Sequence, residues 1–331
     1  MVQAWHLVSR PEGTLTMENV ELRDVPLPPL AEGQIHVRNH WLSVDPITRL
    51  RMRGDYQGAQ PPFALGEPIG GVATGVVVES RSPLFSPGDR VKHQLGWRDE
   101  AVGAAELFGK LPDIDMPEQY FMHYMGVVGL TAWSGLVKVA EARAGDVAFI
   151  SAAGGGVGSA AVQIAKILGL RVIGSAGGAE KCAFVRSIGA DAVIDYKAPG
   201  GMEEKLRQVA PEGIDVYLDN VGGDHLDAAL GLANTHARFA ISGTVGNYDN
   251  GEAATLRNFS RVVGQNIRLQ GYIAPREYGA DMLAFQHQMA EWIASGRISI
   301  CESVFEGLER TPEAFISIFT GSIAGKILVR L

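Results

Sequence analysis

The chain has 331 residues, of which 29 are basic, 37 acidic and 41 glycine, and its formal net charge is −8. This acidic excess argues against nucleic acid or an anionic membrane surface as a partner, and 46% hydrophobic residues exclude a disordered protein. Two cysteines, Cys182 and Cys301, are too few for a disulfide framework, and the length predicts about two domains.

The first third of the chain has the composition of a β-rich domain. Twelve of the 16 prolines lie between Pro11 and Pro117, and proline interrupts helices and central strands. The segments 34–38 and 71–78 combine β-branched or small residues in strand-like runs. We therefore predict a distorted barrel over residues 1–122.

From about Tyr120 the pattern changes to helices that alternate with short apolar strands. The predicted strands are 147–152, 171–174, 192–194, 216–218 and 238–242. The predicted helices are 131–142, 157–168, 180–188, 202–209 and 226–233. This alternation is typical of a doubly wound α/β domain, placed here over 123–296, with a parallel sheet covered on both faces. The tail, 297–331, contains a strand-like run at 327–330 that we expect to complete the first domain.

A glycine-rich turn follows the first strand of the α/β region. Ala153 to Gly158 reads Ala-Gly-Gly-Gly-Val-Gly, the dinucleotide fingerprint with alanine in its first place. The turn lets the backbone approach a pyrophosphate closely, and the helix that follows presents unbonded N–H groups to the phosphates. The motif therefore predicts a dinucleotide site.

The end of the second strand favours NADP(H) over NAD(H). NAD-specific folds place an acidic residue there, about 20 residues beyond the turn, whereas this chain has Gly178. Ser175, Lys181 and Tyr196 together offer a cation and hydroxyl groups for a 2′-phosphate. An ordinary solvated lysine is the alternative interpretation of Lys181.

The sequence offers no metal site and no serine nucleophile. No cysteine occurs before Cys182, and the eight histidines form no pairing with the spacing of zinc ligands. A serine-hydrolase elbow is absent as well. We therefore expect a metal-independent protein.

Several motifs together resemble the zinc-free medium-chain dehydrogenases/reductases. Within them the chain is similar to the prostaglandin reductase / leukotriene B4 12-hydroxydehydrogenase group, which includes NADPH-dependent alkenal/one and curcumin reductases. The resemblance covers nearly the whole chain and rests on the segments 42–46, 129–132, 152–159, 180–181, 195–197, 219–223, 243–248 and 325–326. It implies a GroES-like barrel with a Rossmann-type domain, and a homodimer formed through the nucleotide-binding domains.

The resemblance also implies which residues bind the cofactor. The pyrophosphate is assigned to the turn residues Gly155, Gly156, Val157 and Gly158. The 2′-phosphate is assigned to Lys181 and Tyr196, with Ser175 beside them. The ribose and nicotinamide are assigned to Thr131, Asn220, Ser242, Gly243, Thr244, Tyr248, Tyr272, Ile273 and Ala274.

Three positions depart from the family pattern. Ile323 replaces an asparagine that the family often has, and Asp249 replaces the asparagine that follows Tyr248. The segment 45–49, which begins with Asp45 and ends with Arg49, also differs on the substrate side. Asp45, Arg49 and Tyr56 are weak substrate candidates, with turn or loop roles as alternatives for Asp45 and Tyr56.

The implied reaction is reduction of the C=C bond of an α,β-unsaturated ketone or aldehyde by NADPH. Without a metal, hydrogen-bond donors must stabilise the negative charge on the carbonyl oxygen. Tyr248 is the candidate donor, and packing against the nicotinamide is the alternative role for it. A quinone reductase and a non-catalytic NADPH-binding protein remain competing functions. The chain has neither a signal-like N-terminus nor an apolar spanning segment, so we expect a cytoplasmic protein.

Overall fold

The computed structural model of the chain describes residues 1–58, 60–248, 255–321 and 323–331. It contains two compact units. The first comprises Met1–Met122, Ser303–Ile323 and Ile327–Leu331, and the second His123–Glu302 with Ala324–Lys326. Among the described residues, no helix combines the length and the apolar character that crossing a membrane requires.

The strands and helices are numbered here in chain order. The strands are β1 Val2–Leu7, β2 Val20–Val25, β3 Gln34–Ser43, β4 Ala73–Ser80, β5 Arg90–His93, β6 Glu100–Ala104, β7 Phe108–Lys110, β8 Val147–Ile150, β9 Arg171–Ala176, β10 Ala192–Asp195, β11 Ile214–Asp219, β12 Ala233–Ile241, β13 Arg268–Gly271, β14 Glu302–Glu306 and β15 Lys326–Arg330. The α-helices are α1 Ile47–Arg51, α2 Val127–Ser134, α3 Gly156–Ile167, α4 Ala179–Ser187, α5 Met202–Val209, α6 Gly223–Gly231, α7 Arg261–Gly264, α8 Ala274–Tyr278, α9 Met282–Ala294 and α10 Thr311–Thr320.

The first unit is built on antiparallel strands around β3. This long strand pairs with β4, β6 and the C-terminal β15, which sets Leu328 opposite Ser43. Buried side chains of the sheet and of α10, including Leu42, Phe315 and Val329, form its main apolar core. The strand-like run of the tail, β15, therefore lies in the same sheet as β3.

The second unit contains a six-stranded sheet in the order β10-β9-β8-β11-β12-β13. All of its pairings are parallel. The strand order reverses between β8 and β11, and in doubly wound sheets ligands bind at the carboxyl ends of the strands beside this point. The predicted fold class, a Rossmann-type parallel sheet with a separate β-rich domain, is confirmed.

Stacked aromatic rings hold the centre of this sheet. The ring of Phe149 on β8 stacks on Tyr217 of β11 at 5.0 Å, and Tyr217 meets Phe239 of β12 edge-on at 5.2 Å. All three side chains are buried because helices cover both faces of the sheet. This core keeps the carboxyl ends of β8, β11 and β12 in fixed register.

The structure differs from the sequence-based elements in the bounds of one helix and in the presence of one further strand. The helix expected over 131–142 begins at Val127 and ends in a single π turn, Gly135–Val139. Guanidinium groups of Arg238 and Arg268 bind the carbonyl oxygens of Ala140 and Val139, which ends the helix there. The sixth strand, β13, was not predicted because it is short, exposed and without an apolar run.

The tail is also divided differently from the expectation that all of 297–331 completes the first domain. Residues 297–302 and 324–326 belong to the second unit. The reason is a pair of backbone hydrogen bonds within that unit, from Lys326 N–H to the Cys301 carbonyl and from Gly325 N–H to the Gly154 carbonyl, both 2.8 Å long.

Candidate active site

The glycine-rich turn directly follows β8 and makes a tight reversal into α3. Ala152 has a left-handed backbone (φ 48°), and its carbonyl oxygen accepts a hydrogen bond from Gly155 N–H at 2.9 Å. A Cβ on Gly158 would lie 2.1 Å from that same oxygen, so only glycine allows the helix to start here. No side chain caps α3, so its first N–H groups are available to an anion.

The segment Gly325-Lys326 packs against this turn and was not among the predicted site residues. Gly325 forms a parallel bridge with Gly155. The side-chain methylenes of Lys326 lie 3.3 Å from the point where a Cβ of Gly156 would stand. Gly325-Lys326 belongs to the motifs that carry the resemblance, and this was the available signal for its place beside the phosphate turn.

Two of the residues proposed for the 2′-phosphate lie around the turn between β9 and α4. Lys181 is in the first turn of α4, and Tyr196 follows β10, where its ring is 43% exposed. Burial, and next the positive charge of Lys197, lower the pKa of Lys181, while burial raises the pKa of Tyr196. These two side chains fit a phosphate ligand.

Ser175 does not share that surface. It is fully buried within β9, and its hydroxyl group has no hydrogen-bond partner among the described residues. The side chain presents no exposed surface in the structure, and the assignment of Ser175 to the 2′-phosphate beside Lys181 and Tyr196 stays a prediction.

Asn220 and Ser242 meet at the carboxyl ends of β11 and β12. The Asn220 side-chain amide donates to the Ser151 carbonyl oxygen, and the Ser242 hydroxyl donates to the Asn220 side-chain oxygen, both at 2.7 Å. The Asn220 backbone N–H also donates to the Ser151 hydroxyl oxygen at 2.8 Å. Three strand ends are thus joined beside the point where the strand order reverses.

Asp219, which sequence reasoning did not select, supports this network from below. One of its carboxylate oxygens accepts hydrogen bonds from the hydroxyls of Ser151 and Tyr217 and from the N–H groups of Val221 and Gly222, at 2.7–3.1 Å. Burial raises its pKa. The carboxyl group fixes the turn that presents Asn220, and the sequence signal for it was its place in the segment 219–223, which carries the resemblance.

The phenol of Tyr248 lies over the backbone of Gly243. A Cβ on Gly243 would stand 3.4 Å from the Tyr248 hydroxyl oxygen and 3.6 Å from the Asn220 carbonyl oxygen. Tyr248 is half-buried, and Thr244 is exposed. The structure therefore brings the proposed donor to the same strand ends as Asn220, while Asp249 lies outside the described residues.

A second polar link ties α2 to the residues after β13. The hydroxyl group of Tyr272 donates to the Thr131 carbonyl oxygen at 2.7 Å, and burial raises the pKa of this phenol. The Thr131 hydroxyl donates to the Val127 carbonyl oxygen within the helix. Ile273 is exposed and Ala274 is buried at the start of α8. The Tyr272 hydroxyl therefore links the segment after β13 to α2.

The three weak substrate candidates lie in the β-rich unit. Arg49 is only 1% exposed and donates to the carbonyl oxygens of Pro11 and Gly13, which gives it a structural role in that unit. Asp45 accepts a hydrogen bond from the Ser43 hydroxyl just before α1, and the Tyr56 hydroxyl lies against Gly58. The burial of Arg49 argues against direct contact with a substrate.

Ile323, which replaces the family asparagine, packs against the apolar core of the β-rich unit. Its side chain therefore contributes packing where an amide would need hydrogen-bond partners. Across the described residues, no group of three or more His, Cys, Asp or Glu side chains is placed to hold a metal ion.

Comparison with known proteins agrees with this architecture along the whole chain. Residues 3–111 match a family model described as the N-terminal domain of oxidoreductase, and residues 156–292 match one described as zinc-binding dehydrogenase. NADPH-dependent curcumin reductase of Escherichia coli (strain K12) is 35% identical over 333 residues, covering 99% of this chain and 96% of the relative. Prostaglandin reductase 1 of Mus musculus is 34% identical, with complete coverage of both chains.

A solved structure is similar to this chain over nearly its whole length. The crystal structure of CurA from Vibrio vulnificus in complex with NADPH matches with a TM-score of 0.92 and 35% identity, over 99% of this chain and 98% of that chain. The chain therefore belongs to the medium-chain dehydrogenases/reductases, in the zinc-free group that includes NADPH-dependent curcumin reductase and prostaglandin reductase 1.

Proposed function

We propose that this protein is an NADP(H)-dependent enzyme that reduces the C=C bond of α,β-unsaturated ketones or aldehydes without a metal. The observation that carries the proposal is the joined set of Ser151, Asn220 and Ser242 with the Tyr248 phenol, at the strand ends beside the glycine-rich turn. The named relatives, which include curcumin, prostaglandin and 2-alkenal reductases, support C=C reduction.

The residues present fit the cofactor. The uncapped start of α3 offers N–H groups to a pyrophosphate, and the glycines there leave the space that a close approach requires. At the next turn, the ammonium group of Lys181 and the hydroxyl of Tyr196 suit a 2′-phosphate, and Gly178 stands where an NAD-specific fold has an acid. We assign the ribose and the nicotinamide to Asn220, Ser242 and the segment 272–274.

NADPH, when bound, supplies a hydride to the β-carbon of the substrate. We assign to Tyr248 the stabilisation of the negative charge on the substrate's carbonyl oxygen, because a neutral phenol donates a hydrogen bond near pH 7. The same hydroxyl or a water molecule then delivers a proton to the α-carbon. The network through Asn220 and Ser242 keeps the Gly243 backbone under Tyr248 in place.

The function is tested by following NADPH and NADH oxidation with a panel of enones, alkenals, saturated aldehydes and quinones, with product analysis. The proposal expects saturated ketones or aldehydes from the first two classes, with NADPH preferred. Turnover of quinones alone would establish a quinone reductase instead. Binding of NADPH without oxidation across the panel would establish a non-catalytic binding protein.

We also infer a homodimer in the cytoplasm, formed through the nucleotide-binding unit. The support is that β13 is an edge strand of the parallel sheet, and all four of its residues are exposed. Exposed edge strands offer unpaired backbone groups to a second chain. Light scattering after size-exclusion chromatography tests this inference, because an Arg268→Pro variant should shift the mass toward the monomer.

A further inference from the structure

The turn after β9 is overlaid by two side chains that follow β10. A Cβ built on Gly177 would stand 2.8 Å from the hydroxyl oxygen and ring of Tyr196, and 2.9 Å from the terminal methylene of Lys197. Both groups therefore lie against the same glycine, in space that any larger residue would occupy. Lys197 is exposed and had no role in the sequence-based site.

An acidic residue holds the two turns together. One carboxylate oxygen of Asp195 accepts hydrogen bonds from Gly178 N–H and Lys197 N–H, each at 2.9 Å. The hydrogen bond from Gly178, foremost among several contacts, lowers the pKa of this carboxyl. The ammonium group of Lys205 binds the carbonyl oxygens of Asp195 and Tyr196 at 3.1 and 3.4 Å. The Asp195 carboxylate therefore binds backbone N–H groups, and one of these hydrogen bonds holds the main chain of Lys197 in place.

The third group at this turn is Lys181. Its side chain passes along the glycine turn, with methylenes 3.6–3.7 Å from the place of a Cβ on Gly154. Burial, and after it the positive charge of Lys197, lowers the pKa of Lys181, and no ion pair with another described residue compensates Lys181. Two ammonium groups near one another favour an anion between them.

We propose that Lys197 is a second cationic ligand of the 2′-phosphate of NADP(H), acting with Lys181 and Tyr196, and that Asp195 is the residue that positions it. The inference rests on the proposed cofactor site and not on the identity of the substrate. A side chain at position 177 would displace the Tyr196 hydroxyl and the end of the Lys197 side chain from this place. A phosphate with close to two negative charges is matched by two lysines.

Binding of two nucleotides that lack nicotinamide isolates this contact from catalysis. Calorimetry with 2′,5′-ADP and with 5′-AMP compares the same adenosine with and without the 2′-phosphate. We expect Lys197→Ala to weaken 2′,5′-ADP binding about three- to tenfold and to leave 5′-AMP binding unchanged. The salt dependence of 2′,5′-ADP binding should decrease in the same variant, whereas Lys197→Arg should keep most of the affinity.

Two further variants complete the test. Arg186→Ala removes an exposed cation from α4, one turn beyond Lys181, and should change neither affinity. Asp195→Asn, which keeps an acceptor oxygen but removes the charge, should weaken 2′,5′-ADP binding less than Lys197→Ala does. An unchanged ratio of the two affinities in Lys197→Ala overturns the proposal. Equal binding of both nucleotides by the parent protein would instead overturn the NADP(H) assignment itself.

Discussion

The hydroxyl group of Ser242 donates a hydrogen bond to the side-chain oxygen of Asn220 at 2.7 Å, linking the carboxyl ends of β12 and β11. The amide of Asn220 extends the link to the Ser151 carbonyl oxygen after β8. These hydrogen bonds engage both the oxygen and the nitrogen of the Asn220 side-chain amide, so this buried asparagine is held in one orientation. The link fixes the amide that we place beside the nicotinamide.

Replacing Asn220 by alanine should reduce both stability and cofactor affinity. The change leaves the Ser151 carbonyl and the Ser242 hydroxyl without this partner, which costs about 1–3 kcal/mol in the free energy of unfolding. Urea unfolding measures the loss, and NADPH titration measures the affinity. Ser242→Ala, which removes one hydrogen bond, should cost less. A stability equal to that of the parent would contradict this role of the network.

Tyr248→Phe should lower kcat at least tenfold while the affinity for NADPH is retained. Loss of one donor to a developing oxyanion typically costs about 10²–10³ in rate, and the substitution removes only the hydroxyl group that lies against Gly243. Steady-state kinetics with an enone and fluorescence titration with NADPH check the two parts. Tyr278→Phe, which removes a half-buried hydroxyl outside the proposed set, is the control. An unchanged kcat removes Tyr248 from the chemistry.

Two glycines of the phosphate turn should respond differently to alanine. A Cβ on Gly158 would stand 2.1 Å from the Ala152 carbonyl oxygen, so Gly158→Ala should destabilise the unit by about 3 kcal/mol or more. On Gly155 the nearest atom lies 3.4 Å away, and its φ of −92° suits any residue. Gly155→Ala should therefore fold and lose about tenfold in NADPH affinity, since the methyl obstructs the pyrophosphate. Thermal melts with and without NADPH distinguish the two effects.

The protein should lose stability as the pH falls below about 6.5, where histidines of an unfolded chain take up protons. Burial lowers the pKa of His93 and His123 to about 3 and that of His225 to about 4. Between these values and 6.5 the unfolded state binds protons that the folded state does not. The free energy of unfolding is therefore constant above this window and falls within it, on the order of 1 kcal/mol per pH unit for each histidine.

Urea unfolding at several pH values measures this slope. His225→Gln should reduce the slope by about one proton's contribution. His287→Gln, at an exposed position of α9, should leave the slope unchanged. A free energy of unfolding that stays constant between neutral and mildly acidic pH would show that these histidines do not control acid stability.

The sequence predicted the turn at Gly155–Gly158 and the alternation of strands and helices because both depend on local rules. A glycine fingerprint after an apolar strand needs no distant partner to be recognised. The strand β13 was missed because its exposed residues carry no periodic signal, and pairing with β12 alone makes it a strand. The burial of Ser175 within β9 could not be read from the sequence, because it depends on the helices that cover the sheet.

The sequence by itself determined the fold class and predicted the phosphate-binding turn and the roles of Lys181 and Tyr196, since these follow from composition, spacing and motif. Only the tertiary structure decided which side chains meet. It joined Ser151, Asn220 and Ser242, which lie far apart in the chain, and it showed that Asp195 is bound to backbone N–H groups while Lys197 lies against Gly177. The physical reason is that hydrogen bonds and steric fit depend on the distances between strand ends. Those distances are set by the order in which the strands pair in the sheet.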